Sequence, residues 1–125
     1  MRMLRFAALA ILALTVSSFA TPRLTPGVPQ ENKTFTGEIM DLQCAAMGSH
    51  EQMMKPEGAK DAKECTLKCV AMGGRFVLYD SAHGAFYQLD DQEKAKQFAG
   101  QKVKVFGSLS AASKSIHVQN IQGWR

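Results

Sequence analysis

The sequence predicts a small, mainly β domain of the α+β type. Its architecture is a five-stranded barrel of the oligonucleotide/oligosaccharide-binding (OB) kind, with a helical insert between strands one and two and a short helix between strands three and four. Three observations carry this. Segments 34–43, 75–80, 85–90, 102–109 and 115–124 have strand character. The stretches with helix character fall at those two places in the order. The run "AGQKVKVFGSL…SIHVQNI" looks like the closing strand pair of many bacterial barrels of this type. A split sandwich is the principal rival.

Each element has a local reason. In "TFTGEIMDLQ", Phe35 and Ile39 fall on one face and Met40 and Leu42 on the other. Apolar residues therefore change face partway along, and Gly37 offers the bulge or sharp coiling that this needs. "KPEGAKDAKE" contains Pro56 and Gly58 and reads as loop. "AKECTLKCVAM" is rich in helix formers and is stopped by Gly73 and Gly74, which gives one helix over 62–72.

"RFVLYD" and "AFYQLD" are short aromatic-rich strands joined through Asp80, Ser81 and Gly84, a hairpin. "DQEKAKQFAG" opens on aspartate and ends on glycine, a short helical piece. Lys102 and Lys104 alternate with Val103 and Val105, as in a half-buried strand. "AASK" turns the chain, and Ile116 and Val118 share one face of the last strand.

The N-terminus predicts export. Arg2 and Arg5 precede the uncharged apolar run "FAALAILALTV", and "SSFA" places small residues before a cleavage point. That is the pattern of a signal peptide over 1–20, too short for a comfortable membrane span. Residues 21–33, with three prolines and a glycine, read as a flexible leader, and 34–125 as the domain. The expected location is periplasmic or secreted, without stable membrane insertion after cleavage. Loss of Arg2 and Arg5 leaves 13 Lys+Arg against 11 Asp+Glu, a net +2 with no basic stripe, so nucleic acid is not an expected partner.

Chemistry concentrates in "CAAMGSHEQMMKPEGAKDAKECTLKC", which holds all three cysteines. Cys65 and Cys69 are four apart. On a helix their Cβ atoms would lie about 5–6 Å apart, too far for the ~3.5–4.5 Å of a disulfide. The spacing suits two ligands of one metal, and Cys44 and His50 would complete a three-sulfur, one-nitrogen shell for zinc or copper. Asp41 is a further ligand or a partner that fixes the His50 tautomer. Met47, Met53 and Met54 pad the loop.

In an oxidising compartment, Cys44 would instead pair with Cys65 or Cys69, worth about 3 kcal/mol by the chain-entropy estimate. One thiol would then be left over, buried, paired with another chain or reactive. A thiol redox protein is thus a third reading, although neither CxxC nor CxxCH occurs.

The remaining candidates are weaker. His83 and His117 read as surface histidines, and no GxSxG-like nucleophile context appears. Tyr79 and Tyr87 lie on the strands such barrels often use for ligands, and an exposed ring there would stack on a sugar.

The pieces "FTGEIMDLQCA", His50, "ECTLKCVAMGGRFVLYD" and "YQLDDQEKAKQFAGQKVKVFGSLSAASKSIHVQNI" are similar to a family of small exported bacterial proteins of unknown function. The resemblance spans nearly all of the chain after the leader. It implies an exported domain with a Cys/His-bearing segment and no known activity. The expectation is a non-enzymatic binding module whose Cys/His cluster is a disulfide staple or a zinc or copper site, its partner a metal ion or a glycan.

Overall fold

A computed structural model of the chain describes residues 30–124. The expected signal peptide and residues 21–29 of the expected leader lie outside the described residues. Within them the order is β1 (Asn32–Asp41), α1 (Leu42–Met47), α2 (Glu51–Glu57), α3 (Ala62–Ala71), β2 (Phe76–Asp80), β3 (Ala85–Leu89), α4 (Gln92–Lys96), β4 (Lys102–Ser110) and β5 (Ser115–Gly123). The strands close into a barrel in the order β1-β2-β3-β5-β4, the OB-like arrangement the sequence predicts. No helix among the described residues is long and apolar enough to cross a membrane.

β1 closes the barrel by serving two neighbours in turn. Residues 32–38 pair with β4 and residues 38–41 with β2, so Glu38 faces Lys102 on one side and Tyr79 on the other. The barrel strand thus takes in Asn32 and Lys33, which the sequence assigned to the leader. The register of β1 runs without interruption, so Gly37 is not a bulge. It marks a close crossing, where a Cβ would overlap the carbonyl oxygen of Tyr79. The irregularity in register falls instead between Phe106 and Gly107 in β4. Between β3 and β5 the ladder is short and parallel, Gln88 opposite Ser115 and Leu89 opposite Ile116.

Two cores result. Inside the barrel, Ile39, Leu78, Leu89, Val103, Val105 and Ile116 are fully buried. One end is plugged by α4. Asp91 caps that helix by accepting from the backbone N–H of Lys94 at 2.9 Å, and Ala95 and Ala99 enter the core. Gln92 ties the plug down, accepting from Phe76 N at 2.9 Å and donating to the carbonyl of Leu89 at 2.8 Å. Outside the barrel wall, a second core joins Met40 and Val77 to Cys44, Ala45, Cys65 and Cys69 of the insert.

The insert is more helical than the sequence predicts. Leu42 and Gln43 do not continue β1 but open α1, because the Asp41 side chain caps it by accepting from Gln43 N at 2.7 Å. The stretch read as loop, residues 55–64, begins inside α2, which runs from Glu51 through Pro56 to Glu57, and Gly58 ends that helix in the left-handed conformation. Proline is tolerated in so short a helix because few intrahelical bonds are there to be lost.

Because Gly37 sits where two backbones meet, Gly37→Ala is expected to destabilise the barrel by about 1–3 kcal/mol. Urea unfolding followed by tryptophan fluorescence measures it; an unchanged midpoint would mean that the crossing relaxes freely.

Candidate metal centre

Four backbone elements deliver the cluster. β1 ends at Asp41, only 1 % exposed. The turn into α1 places Cys44 three residues on, facing back toward the barrel wall. α3 presents Cys65 and Cys69 from one face, as their spacing predicts, and both are buried. His50 precedes α2, where its carbonyl accepts from Met53 and Met54, so the helix start fixes its backbone.

All three cysteines are free thiols. The staple from Cys44 to Cys65 or Cys69 is not formed; the sulfurs of Cys44 and Cys65 lie 3.9 Å apart. Four sulfur, nitrogen and oxygen donors meet Cys44 in two sets. Cys44, His50 and Cys65 place ligand atoms within 4.8 Å of one another, and so do Asp41, Cys44 and Cys69. Cys44 belongs to both. His50 and Cys69 fall in different sets.

Hydrogen bonding prepares the donors. The Nε2 of His50 bonds to Glu38 Oε1 at 2.9 Å. A carboxylate accepts, so Nε2 carries the proton and Nδ1 of the neutral ring keeps its lone pair. The partner that orients the imidazole is therefore Glu38, not Asp41 as the sequence suggested. Among the described residues three buried side-chain polar atoms lack a hydrogen-bond partner: His50 Nδ1, Asp41 Oδ1 and Thr66 Oγ1. Two of the three belong to the cluster, and the third is next to Cys65 in sequence. Leaving such a group unsatisfied costs about 1–3 kcal/mol. Gly74 closes over Asp41, where a Cβ would overlap Oδ1.

The net effect on the pKa of Cys44 and Cys69 is upward, although a hydrogen bond from Cys44 opposes it at Cys69. Burial raises the Cys44 pKa far above the ordinary thiol value, and the nearby thiols of Cys65 and Cys69 and the Asp41 carboxylate push the same way. Burial likewise raises that of Cys69, assisted by Cys65 and Asp41. Neither thiol has a cationic neighbour among these influences.

The chain matches no protein-family model, no curated protein and no solved structure. Its site is therefore read from its own geometry.

The other candidates separate. Tyr79 and Tyr87 lie on opposite faces of the β2–β3 hairpin. Tyr79 packs on the outer core, while Tyr87 packs on the barrel interior with its ring 5.8 Å from that of Phe35. They make no common stacking platform. His83 and His117 are exposed and paired with Asp80 and Asp90. Met53 and Met54 pack against the outer core that holds the thiols and Met40, whereas Met47 is exposed.

A cavity of about 590 Å³ adjoins the cluster, with Glu38, His50, Tyr79, Lys102 and Trp124 among its lining. Sequence reasoning missed Glu38 and Trp124. Glu38 is twelve residues from its histidine, and a strand glutamate carries no local signal. Trp124 is half exposed, and the ammonium of Lys104 lies 5.9 Å from its ring centroid. As the chain's one tryptophan, it was open to notice.

Two outcomes follow from the buried thiols. A disulfide reagent should react with them in the metal-free native protein at least about a hundredfold more slowly than after denaturation; equal rates would mean the cluster is open. Folded pKa values above unfolded ones mean that the native state holds its thiol protons more tightly. The metal-free protein should keep this contribution below the ordinary thiol value of 9.0 and lose it as pH rises beyond. Urea midpoints across that range check the sign.

Proposed function

We propose that the protein is an exported, non-enzymatic binding module whose helical insert is clamped together by zinc held at Cys44, His50 and Cys65, with His50 tied to the barrel through Glu38. The observation that carries this is the His50 ring within ligand distance of two reduced thiols, its Nδ1 buried and bare and its Nε2 already bonded to Glu38. Zinc–sulfur bonds of about 2.3 Å in tetrahedral geometry set sulfurs about 3.8 Å apart. The Cys44–Cys65 separation of 3.9 Å is close to that edge. Two sulfurs and an imidazole nitrogen form a borderline donor set, which suits zinc.

Clamping has a purpose beyond stability. Gly48, Ser49, His50 and Glu51 form one wall of the 590 Å³ cavity, and Tyr79, Lys102 and Trp124 contribute from the barrel. An ion that fixes His50 fixes that wall. The binding face is then preorganised, which lowers the ordering cost of taking a ligand.

Thiol redox work is disfavoured on the same grounds. A reactive cysteine needs an exposed thiolate stabilised by positive charge. Here burial pushes Cys44 and Cys69 toward the protonated form. A cuprous ion is the second reading, favoured by Met40 in the same outer core as the thiols and by Met53 and Met54 packed against that core.

Elemental analysis of protein purified from its native compartment tests the proposal, with bound zinc as the expected result. Copper in its place selects the second reading, and a metal-free protein with Cys44 in a disulfide ends both. Glu38→Gln should weaken zinc binding by about 10–100-fold, measured by chelator competition. Zinc affinity should also rise with pH, because binding displaces thiol protons.

A further inference from the structure

We propose that the centre is binuclear, the Cys44 thiolate bridging two divalent ions, one held with His50 and Cys65 and the other with Asp41 and Cys69. This rests on the zinc clamp of the preceding section and extends it to a second ion.

Three observations converge. Donors fall into two sets with one shared member, and that member is a sulfur, an atom with lone pairs enough for two metals. Each set contains its own unpartnered buried atom, His50 Nδ1 in one and Asp41 Oδ1 in the other. One ion at the His50 set would satisfy the first and leave the second stranded, at 1 % exposure and with no lysine or arginine paired to it among the described residues.

Charge supplies the third. Three thiolates and one carboxylate carry four formal negative charges, and Glu38 holds His50 in place without needing it protonated. A single divalent ion at the His50 set balances the Cys44 and Cys65 thiolates and leaves the Asp41 carboxylate as an uncompensated charge beside the apolar Met40, Ala45 and Val77. Two divalent ions cancel all four charges. Binding of each ion displaces thiol protons to solvent, so no oxidant or reductant is involved.

Gly74 fits this arrangement. Its missing side chain lets the backbone close over Asp41 Oδ1, so no protein group from that side takes the oxygen.

Cadmium as the probe decides the matter. The purified, reduced protein is loaded with cadmium-113, counted by native mass spectrometry and examined by cadmium NMR. Two cadmium ions per chain are expected, giving two resonances that split each other through the shared sulfur. One ion per chain overturns the binuclear centre and leaves the zinc clamp standing; no ion at all overturns the clamp and this inference with it. Two resonances without mutual splitting overturn the bridge. Cys69→Ser should lose one equivalent and keep the other, and retention of both would overturn the assignment. Should that variant fail to fold, the wild-type spectrum decides alone.

Discussion

The corner at Asp41 is the constraint on which the rest depends. One residue ends β1, caps α1 through Oδ2 and presents Oδ1 to a pocket of thiols. The cap turns the chain off the barrel sharply enough that Cys44 folds back against the wall instead of continuing outward. Without that turn, α3 would have no sulfur to meet. The N–H of Leu42 also donates to the carbonyl of Arg75 at 3.0 Å, so the chain leaves and rejoins the barrel at adjacent points. The insert is thus a closed excursion with two apolar anchors, the outer core and the packing of Leu67 and Val70 from α3 on the barrel core.

Stability and function meet in the first of these. A barrel interior of Ile, Leu and Val needs no help from metal, since its side chains are buried and interdigitated. The outer core is different: it is small, half of it is cysteine and methionine, and it includes a buried carboxylate with no counter-charge. Burial alone gives such a patch modest stability, and its polar members subtract from it. A cation changes the sign of that balance, since the same groups that destabilise the empty pocket become ligands. In the proposed metal-bound form, the free energy that empty burial costs would be recovered as metal affinity, and binding would become folding of the insert.

Much of the barrel was legible because its signals are local. Alternation of Lys102 and Lys104 with Val103 and Val105 gives β4 its buried and exposed faces, and the aspartate and glycine punctuation gives the hairpin. The same reading misjudged Gly37, whose role depends on Tyr79 forty-two residues away. It also missed α2, where Pro56 outweighed good helix formers in the local sum although a short helix forfeits little to it. In the site, the spacing of Cys65 and Cys69 was informative because a helix converts spacing into a shared face. The division of donors was not, because which set Cys69 joins depends on the approach of α3 to β1, a tertiary fact with no sequence period. Glu38 was invisible for the same reason. The expectation of a disulfide came from compartment rather than geometry, and in the structure all three cysteines are free, the Cys44 and Cys65 sulfurs 3.9 Å apart.

The placement of His50 links the buried centre to the surface. Its ring has two nitrogens with two audiences: Nε2 bonds to Glu38, a residue that lines the cavity, while Nδ1 is turned away from that bond and is buried. Whatever draws the Glu38 carboxylate toward the cavity weakens its hold on Nε2, and with it the basicity of Nδ1. A cationic ligand in the cleft and an ion in the cluster would therefore oppose each other, and by linkage the opposition is reciprocal. An anionic ligand near Lys102 would leave Glu38 on the histidine and would carry no such penalty. With the proposed ion in place, a ligand whose charge does not compete for Glu38 would be favoured, and the ion and the cleft would be two parts of one binding device.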